Sequence, residues 1–563
     1  MSSDDRPYEH ARRRRHRLPQ RLSLAGLAGA LLFFSWTLTP SLLPRVWYLQ
    51  GVQSGIGAAT GYAIAVTVWW LLRKCRVPRP SPRVHRRLAY GLGAVALGVV
   101  PTMMVAGANW QIDARRLIGM PVDEPANYVG TFAVALGTAG ALLGIVRLVR
   151  DATHVTARFL GRWIPVRPAR VTAVLLVTAL LLGLVEGPVT IVTARATNHV
   201  FALQDAGDEP GVTRPTVRLL SGGPGSVVGW NSLGREGRAF VADAPTRAEI
   251  SRATGAPARR PIRVYVGRAT APDTEERARL AVRELERTGA FDRRVLAVAT
   301  TTGTGWVDSG LSDPLEYLYG GDTAEVAMQY SFLPSWLSFI ADKTRSRAAG
   351  RALFDAVYRA WAERPPEHRP KLVVFGESLG AFGGEAAFPD LADLTARTDG
   401  AVWVGPPNQT RLWRGFVRRR DPGSPEWRPQ YDDGARVRFM GAPADLRRGG
   451  GTWRRPRVVY LQHASDPIVW WSPNLLLHRP PWLHGARGPD VPRAMRWYPF
   501  VTFWQVTADM VFSTKVPPGH GHRYGADTVD AWASVAAPRG WTPARLARLR
   551  TIFEHRAQRG SSS

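Results

Sequence analysis

The chain has 563 residues, 45% of them hydrophobic and 21% charged, which excludes disorder throughout. Lys and Arg number 74 against 45 Asp and Glu, for a net charge of +29, yet lysine occurs only at Lys74, Lys343, Lys371 and Lys515. Such an arginine bias in an Ala/Gly/Pro-rich chain reads as GC-rich coding more than as selection for nucleic acid, so no nucleic-acid partner is expected. The single cysteine, Cys75, excludes an intrachain disulfide, a CxxC redox centre and a cysteine-built zinc site.

The mean hydropathy of −0.15 averages two unlike halves. Five apolar runs, at about 22–39, 51–72, 88–109, 128–149 and 171–192, alternate with charged or proline-rich breaks. Each approaches the roughly 20 residues that cross hydrocarbon as a helix, and the runs lack the polar face of a soluble bundle helix. Arginines crowd the N-terminus (Arg12 to Arg15, Arg17, Arg21), the second break (Arg73 to Arg87) and the fourth (Arg147 to Arg170), and are sparse in the first and third. Positive residues stay on the cytoplasmic side. The expectation is therefore a multi-pass protein of the cell membrane, with a basic cytoplasmic N-terminus over 1–21 and five membrane helices over 22–192. Everything beyond about 193 then lies outside the cytoplasm. The first run ends in SWTLTPSLLP without a small-residue cleavage site, which predicts a retained anchor. Glu186 lies near the end of the fifth run, where it reads either as an intramembrane functional acid or as a residue snorkelling to the outer surface.

Residues 193–256 are Gly/Pro/Arg-rich and read as a membrane-proximal connector that partly packs on the next domain. From about 257 to 545 strands and helices alternate. Pro261–Gly267, Arg294–Thr300, Glu325–Ser331, Leu372–Phe375, Ala401–Gly405 and Val458–His463 read as strands, and Thr274–Glu286 and Arg345–Trp361 as helices. That order predicts a doubly wound, mostly parallel α/β sheet. Residues 546–563 read as the end of a helix and a tail.

After the strand LVVF comes Gly376-Glu377-Ser378-Leu379-Gly380, a GxSxG between strand and helix. The turn exposes a serine hydroxyl at the carboxyl edge of the sheet and points the Leu379 N–H where an oxyanion would form. A serine hydroxyl needs a base, and the base an orienting acid. Asp466 follows the strand VVYLQH, where such an acid belongs. His520 and His522 stand in the glycine-rich loop PPGHGHRYG. His520 is preferred as the base because a Gly-His-Gly turn leaves its ring free to swing, while His522 is kept open. A His-x-His metal pair is the competing reading, and no further ligand set is evident, so neither metal nor cofactor is expected. Thr301-Thr302-Gly303-Thr304-Gly305-Trp306 follows RVLAVAT and offers the Gly303 and Thr304 N–H groups as second oxyanion donors; Gly267-Arg268 is the fallback. Aromatic residues crowd this half (Trp306, Trp336, Trp403, Trp497, Trp504), and Trp470 and Trp471, beside the candidate acid, are candidates to line an apolar acyl pocket.

These stretches resemble the integral-membrane α/β-hydrolases of bacteria, a multi-helix membrane region fused to a C-terminal hydrolase domain. The matching segments include TGTGWVDSG, YGGDTAEVAMQYSFLPSWLSF, FGESLGAFGGEAAF, WVGPPN, RDPGSPEW, YLQHASDPIVWWSP, MRWYPFVTFWQVTADM and PPGHGHRYG. The resemblance implies a serine-hydrolase site on Ser378, Asp466 and one of His520 and His522. The resulting expectation is a membrane-anchored esterase acting through an acyl-enzyme on a lipid or acylated envelope component. The alternatives are an acyltransferase with the same triad and an inert binding or assembly protein.

Overall fold

The computed structural model describes residues 22–186 and 201–559, apart from 79, 123–125, 203, 208, 335–337 and 339–342. The basic N-terminus, the end of the fifth apolar run, the start of the expected connector and Trp336 therefore lie outside the described residues.

Each of the five apolar runs contains a helix. They are α1 (Leu24–Thr37), α2 (Trp47–Lys74), α3 (Pro82–Leu117), α4 (Tyr128–Leu160) and α5 (Val166–Glu186). Among the described residues α2, α3 and α4 are long and apolar enough to cross a membrane. α1 has only 14 residues, about 21 Å of helix against the roughly 30 Å of a hydrocarbon core, so the first run is shorter as a helix than its hydropathy suggested. The Ser23 side chain accepts from the Gly26 N–H at its start, and α1 packs along α2 through glycines: a Cβ on Gly61 would lie 2.3 Å from the Gly29 carbonyl.

Seven parallel strands form the sheet: β1 (Ile262–Val266), β2 (Val295–Thr300), β3 (Thr323–Met328), β4 (Lys371–Glu377), β5 (Gly400–Val404), β6 (Val437–Met440) and β7 (Arg457–Leu461), in the order β1-β3-β2-β4-β5-β7-β6. All five residues of β1 and of β5 are buried, as expected of parallel strands covered on both faces. β6, VRFM, was not among the predicted strands. It is four residues long and lies at the sheet edge, where little length is needed and the apolar signal is weakest.

The helices of this half are α6 (Gly234–Ala242), α7 (Arg247–Thr254), α8 (Thr274–Thr288), α9 (Ser309–Leu318), α10 (Lys343–Ala362), α11 (Leu379–Gly384), α12 (Leu391–Arg397), α13 (Arg411–Arg418), α14 (Val501–Met510), α15 (Asp527–Val535) and α16 (Pro543–Arg559). α8 and α10 pack together over β1 to β3, and α15 lies on β5 and β7 beside α9.

Both flanks of the sheet domain pack on its core. The segment read as a connector joins the core through Leu220, Leu233, Phe240 and Ile250, and Ser221 donates its N–H to the Arg263 carbonyl at the edge of β1. Arg263 is buried; Glu316 takes its Nε and Nη2 at 2.8 Å each, Asp313 takes Nη2 at 2.6 Å, and the Phe240 carbonyl takes Nη1. A buried guanidinium is tolerable only with such complete pairing, and it ties the connector to the sheet. At the other end, α16 runs to Arg559, with Leu549 and Phe553 in the same core.

The two halves meet at the loop between α1 and α2. Asp509 on α14 lies 3.2 Å from Arg45 Nε and accepts the N–H groups of Leu42 and Leu43 at 3.0 and 3.4 Å. Trp36 stacks on Tyr498 with ring centroids 4.9 Å apart.

Candidate active site

β4 runs straight into the sharp turn at Ser378, whose φ is +55° and ψ −120°. An L-residue holds such a backbone only where its surroundings impose it. Here the Ser378 N–H is bonded to the Val404 carbonyl of β5 at 2.9 Å, and α11 follows at once. The flanking glycines are required by approach: a Cβ on Gly376 would lie 2.5 Å from the Gly380 carbonyl carbon, and one on Gly380 would lie 2.2 Å from the Thr300 oxygen. Gly380 thus seats α11 against the end of β2, next to the TTGTGW loop.

Asp466, fully buried just beyond β7, has three donors. Its Oδ2 lies 2.6 Å from His522 Nδ1 and accepts the Tyr524 hydroxyl at 2.5 Å, while Oδ1 accepts the Ile468 N–H at 2.8 Å. The His522 ring lies over Gly405, where a Cβ would meet its Cε1 at 2.4 Å. Gly405 directly follows Val404, the residue that holds the Ser378 N–H, so serine and imidazole flank the same end of β5. His522 Nε2 is buried without a hydrogen-bond partner.

The sequence-based preference for His520 is therefore corrected. His520 Nδ1 is 3.6 Å from Asp490, a residue with no part in the expected site. Asp490 also takes the Ser465 hydroxyl, and that hydroxyl accepts the Gly521 N–H at 2.8 Å. His463 Nδ1 lies 2.9 Å from the Gly521 carbonyl, and its ring stacks on Tyr524 at 4.3 Å. These contacts clamp the loop so that His522 faces Asp466. The two histidines turn to different acids and do not converge as a metal pair; among the described residues no three His, Cys, Asp or Glu side chains group as ligands.

A second carboxyl pair adjoins the site. Glu377, the variable residue of the motif before the serine, is 7% exposed, and its Oε1 lies 3.7 Å from His522 Nε2. Burial pushes its pKa well above the usual carboxylate range, reinforced by Asp308 and by their shared hydrogen bond. Burial raises Asp308 as well. Burial and the neighbouring Asp308 carboxyl thus both favour the protonated form of Glu377.

Other expected residues fall as follows. Leu379 begins α11 and is buried. In the TTGTGW loop Thr302 donates to the Trp306 carbonyl, and the Thr304 and Gly305 carbonyls accept from Gln329 and Tyr265 at 2.8 and 2.7 Å. The fallback at Gly267-Arg268 is set aside. It lies at the end of β1, separated from β4 by β3 and β2, and the Arg268 N–H is committed to Gln329 at 2.8 Å. Trp470 does not line a pocket: it is 1% exposed, packed between Trp413 and Trp482, with its indole N–H on the His463 carbonyl. Trp471 turns towards α14, bonding Thr507 at 2.8 Å and tilting on Phe503.

Tyr524, Asp490, His463, Glu377 and Asp308 escaped the sequence reading. Tyr524 carried one signal, its place two residues after His522, since alternate residues of an extended segment share a side.

Comparison with curated proteins and with solved structures returned no match. Family models, by contrast, cover most of the chain: one described as the α/β-hydrolase family matches residues 262–549, and one described as the N-terminus of that family matches 38–245. With an all-parallel seven-stranded sheet, a strained strand–serine–helix turn and this pair of matches, the chain belongs to the α/β-hydrolase family.

Proposed function

We propose that this chain is a membrane-anchored serine hydrolase that cleaves an acyl ester through an acyl-enzyme, on a lipid or other acylated component at the membrane surface. The observation that carries the reading is the 2.6 Å contact between His522 Nδ1 and Asp466, with Nε2 left unpartnered beside the Ser378 turn.

In the proposed cycle Ser378 Oγ attacks the ester carbonyl and His522 Nε2 takes its proton. Asp466 fixes the tautomer, with the proton on Nδ1, and stabilises the imidazolium. Tyr524 and Ile468 hold that carboxylate in place. The Leu379 N–H and the N–H groups of Gly303 and Thr304 are assigned to the oxyanion. His522 returns the proton to the leaving alcohol, and a water activated by the same nitrogen releases the acid. The raised pKa of Glu377 disfavours a second negative charge beside Nε2. A carboxylate there would stabilise the imidazolium in advance and leave less free base near neutral pH.

The arginine-rich breaks support a cytoplasmic N-terminus, and an odd number of crossings would place the hydrolase domain outside the cytoplasm. The catalytic reading is tested with a fluorophosphonate probe on membranes holding the full chain. Labelling of wild type that Ser378→Ala abolishes is the expected result. Labelling that persists in the variant assigns the nucleophile elsewhere.

A further inference from the structure

A cleft of about 990 Å³ opens where α3 meets the 479–497 segment of the hydrolase domain. Pro40, Trp110 and Leu117 form its membrane-side wall, and Arg479, Arg487, Arg493 and Arg496 line the other. Among the described residues the one carboxylate in the lining is Asp113, whose ion pair is with Arg116 on its own helix at 3.7 Å.

Among the described residues none of these four arginines has a salt bridge, whereas Arg45, Arg263 and Arg550 are all paired with acids. In a chain of net charge +29 a lone unpaired surface arginine is ordinary. Four lining one cleft are a different matter, because each raises the electrostatic cost of the others. Arg487, half-buried, has its pKa lowered by burial and then by the neighbouring charges of Arg496 and Arg479. Backbone carbonyls nevertheless hold the heads in place: Arg479 Nη2 donates to Leu483 at 2.8 Å, Arg487 Nη1 to Pro492 at 3.0 Å and Arg496 Nη1 to Arg493 at 2.8 Å. Positive charge so concentrated and so fixed is complementary to a phosphate, which arginine binds through paired N–H donors.

The depth of the cleft selects the source of that phosphate. The 36 residues of α3 span about 54 Å, well beyond a hydrocarbon core of roughly 30 Å. Trp110 stands just past the apolar run of α3, where an indole sits at the headgroup level. The guanidinium groups face this level, with Trp110 and Leu117 available to acyl chains.

We propose that this cleft binds the phosphate headgroup of an anionic membrane lipid at the junction of the two halves. The site rests on α3 lying in a membrane and is independent of Ser378 chemistry. Pro489 and Val491 of its lining flank Asp490, which contacts His520. A bound lipid therefore abuts the loop that carries His522.

The test uses the full chain purified in dodecyl maltoside, melted with added dihexanoyl phosphatidylglycerol, dihexanoyl phosphatidylcholine or inorganic phosphate. The expected result is stabilisation of wild type by phosphatidylglycerol alone, with at least a tenfold weaker response in the Arg493→Gln/Arg496→Gln double variant. If that variant does not melt at the wild-type temperature without lipid, Arg479→Gln, at an exposed position, replaces it. An equal response to phosphatidylcholine, no response in wild type, or an unchanged response in the variant overturns the site. Full stabilisation by inorganic phosphate overturns the lipid assignment and leaves a soluble anion as the occupant.

Discussion

Asp509 of the hydrolase domain and Arg45 of the loop between α1 and α2 form a buried ion pair, 3.2 Å from Oδ1 to Nε. The same carboxylate caps the N–H groups of Leu42 and Leu43, and Leu43 lies against Gly521, between the two histidines of the site loop. The loop between α1 and α2 therefore packs against the segment that carries the two histidines. Asp509→Ala strands a buried guanidinium and two backbone donors, and should destabilise the full chain by about 3–5 kcal/mol. The Arg45→Met/Asp509→Leu double variant should be much milder. A loss in the double variant equal to the sum of the Arg45→Met and Asp509→Leu losses, read by denaturant melts in detergent, would show that the pair is not coupled.

Ser378→Ala removes one oxygen from a buried turn and should leave stability within about 1 kcal/mol. Turnover of a short-chain nitrophenyl ester should fall by about three orders of magnitude or more, as loss of a triad nucleophile does. A change confined to KM would make Ser378 a binding contact.

The two histidines should separate cleanly. His522→Ala is expected to match Ser378→Ala, whereas His520→Ala, which removes a ring 3.6 Å from Asp490, too long for a hydrogen bond, should retain activity within about tenfold, the most a weak ion pair contributes. The reverse ranking would move the base to His520 and disconnect Asp466 from it.

Tyr524→Phe deletes a donor to the Asp466 carboxylate. A hydrogen bond to a charged group contributes about 1.5–3 kcal/mol, so kcat should drop roughly 10- to 100-fold with KM little changed. An unaltered kcat would make the Tyr524 hydroxyl a packing feature.

Burial pushes the pKa of Glu385 up to about 7 from an ordinary 4.5, against the donors Tyr460, Trp413 and Leu412. Between those two values the unfolded chain has lost this proton and the folded chain still holds it. Stability should therefore fall as pH rises from about 4.5 to 7, by about 3 kcal/mol from this one group at 1.36 kcal/mol per unit. Melting curves of Glu385→Gln against pH should be flatter by that amount over this interval; a slope identical to wild type would remove Glu385 from the balance.

The sheet was legible because its signals are local. β1, β2, β4, β5 and β7 are short apolar runs between helices, as buried parallel strands must be, and the glycines around Ser378 are demanded by backbone approach within five residues of chain. Family membership followed from the same segments. The choice between His520 and His522 was not legible, since both lie in one glycine-rich loop and differ only in which distant acid they meet. That is decided by packing across 56 residues, from Asp466 to His522, and by the Asp490–Ser465–His463 clamp. The same limit hid the raised pKa of Glu377, which depends on burial beside Asp308, and placed Trp470 in a pocket when it belongs to the core. Hydropathy marked five helical runs but not the short length of α1. Sequence alone thus determined the fold and a candidate nucleophile and acid; tertiary structure decided which histidine faces Asp466, the burial of Glu377 beside Asp308 and the contact of the α1–α2 loop with the site, because each depends on which distant groups exclude water together.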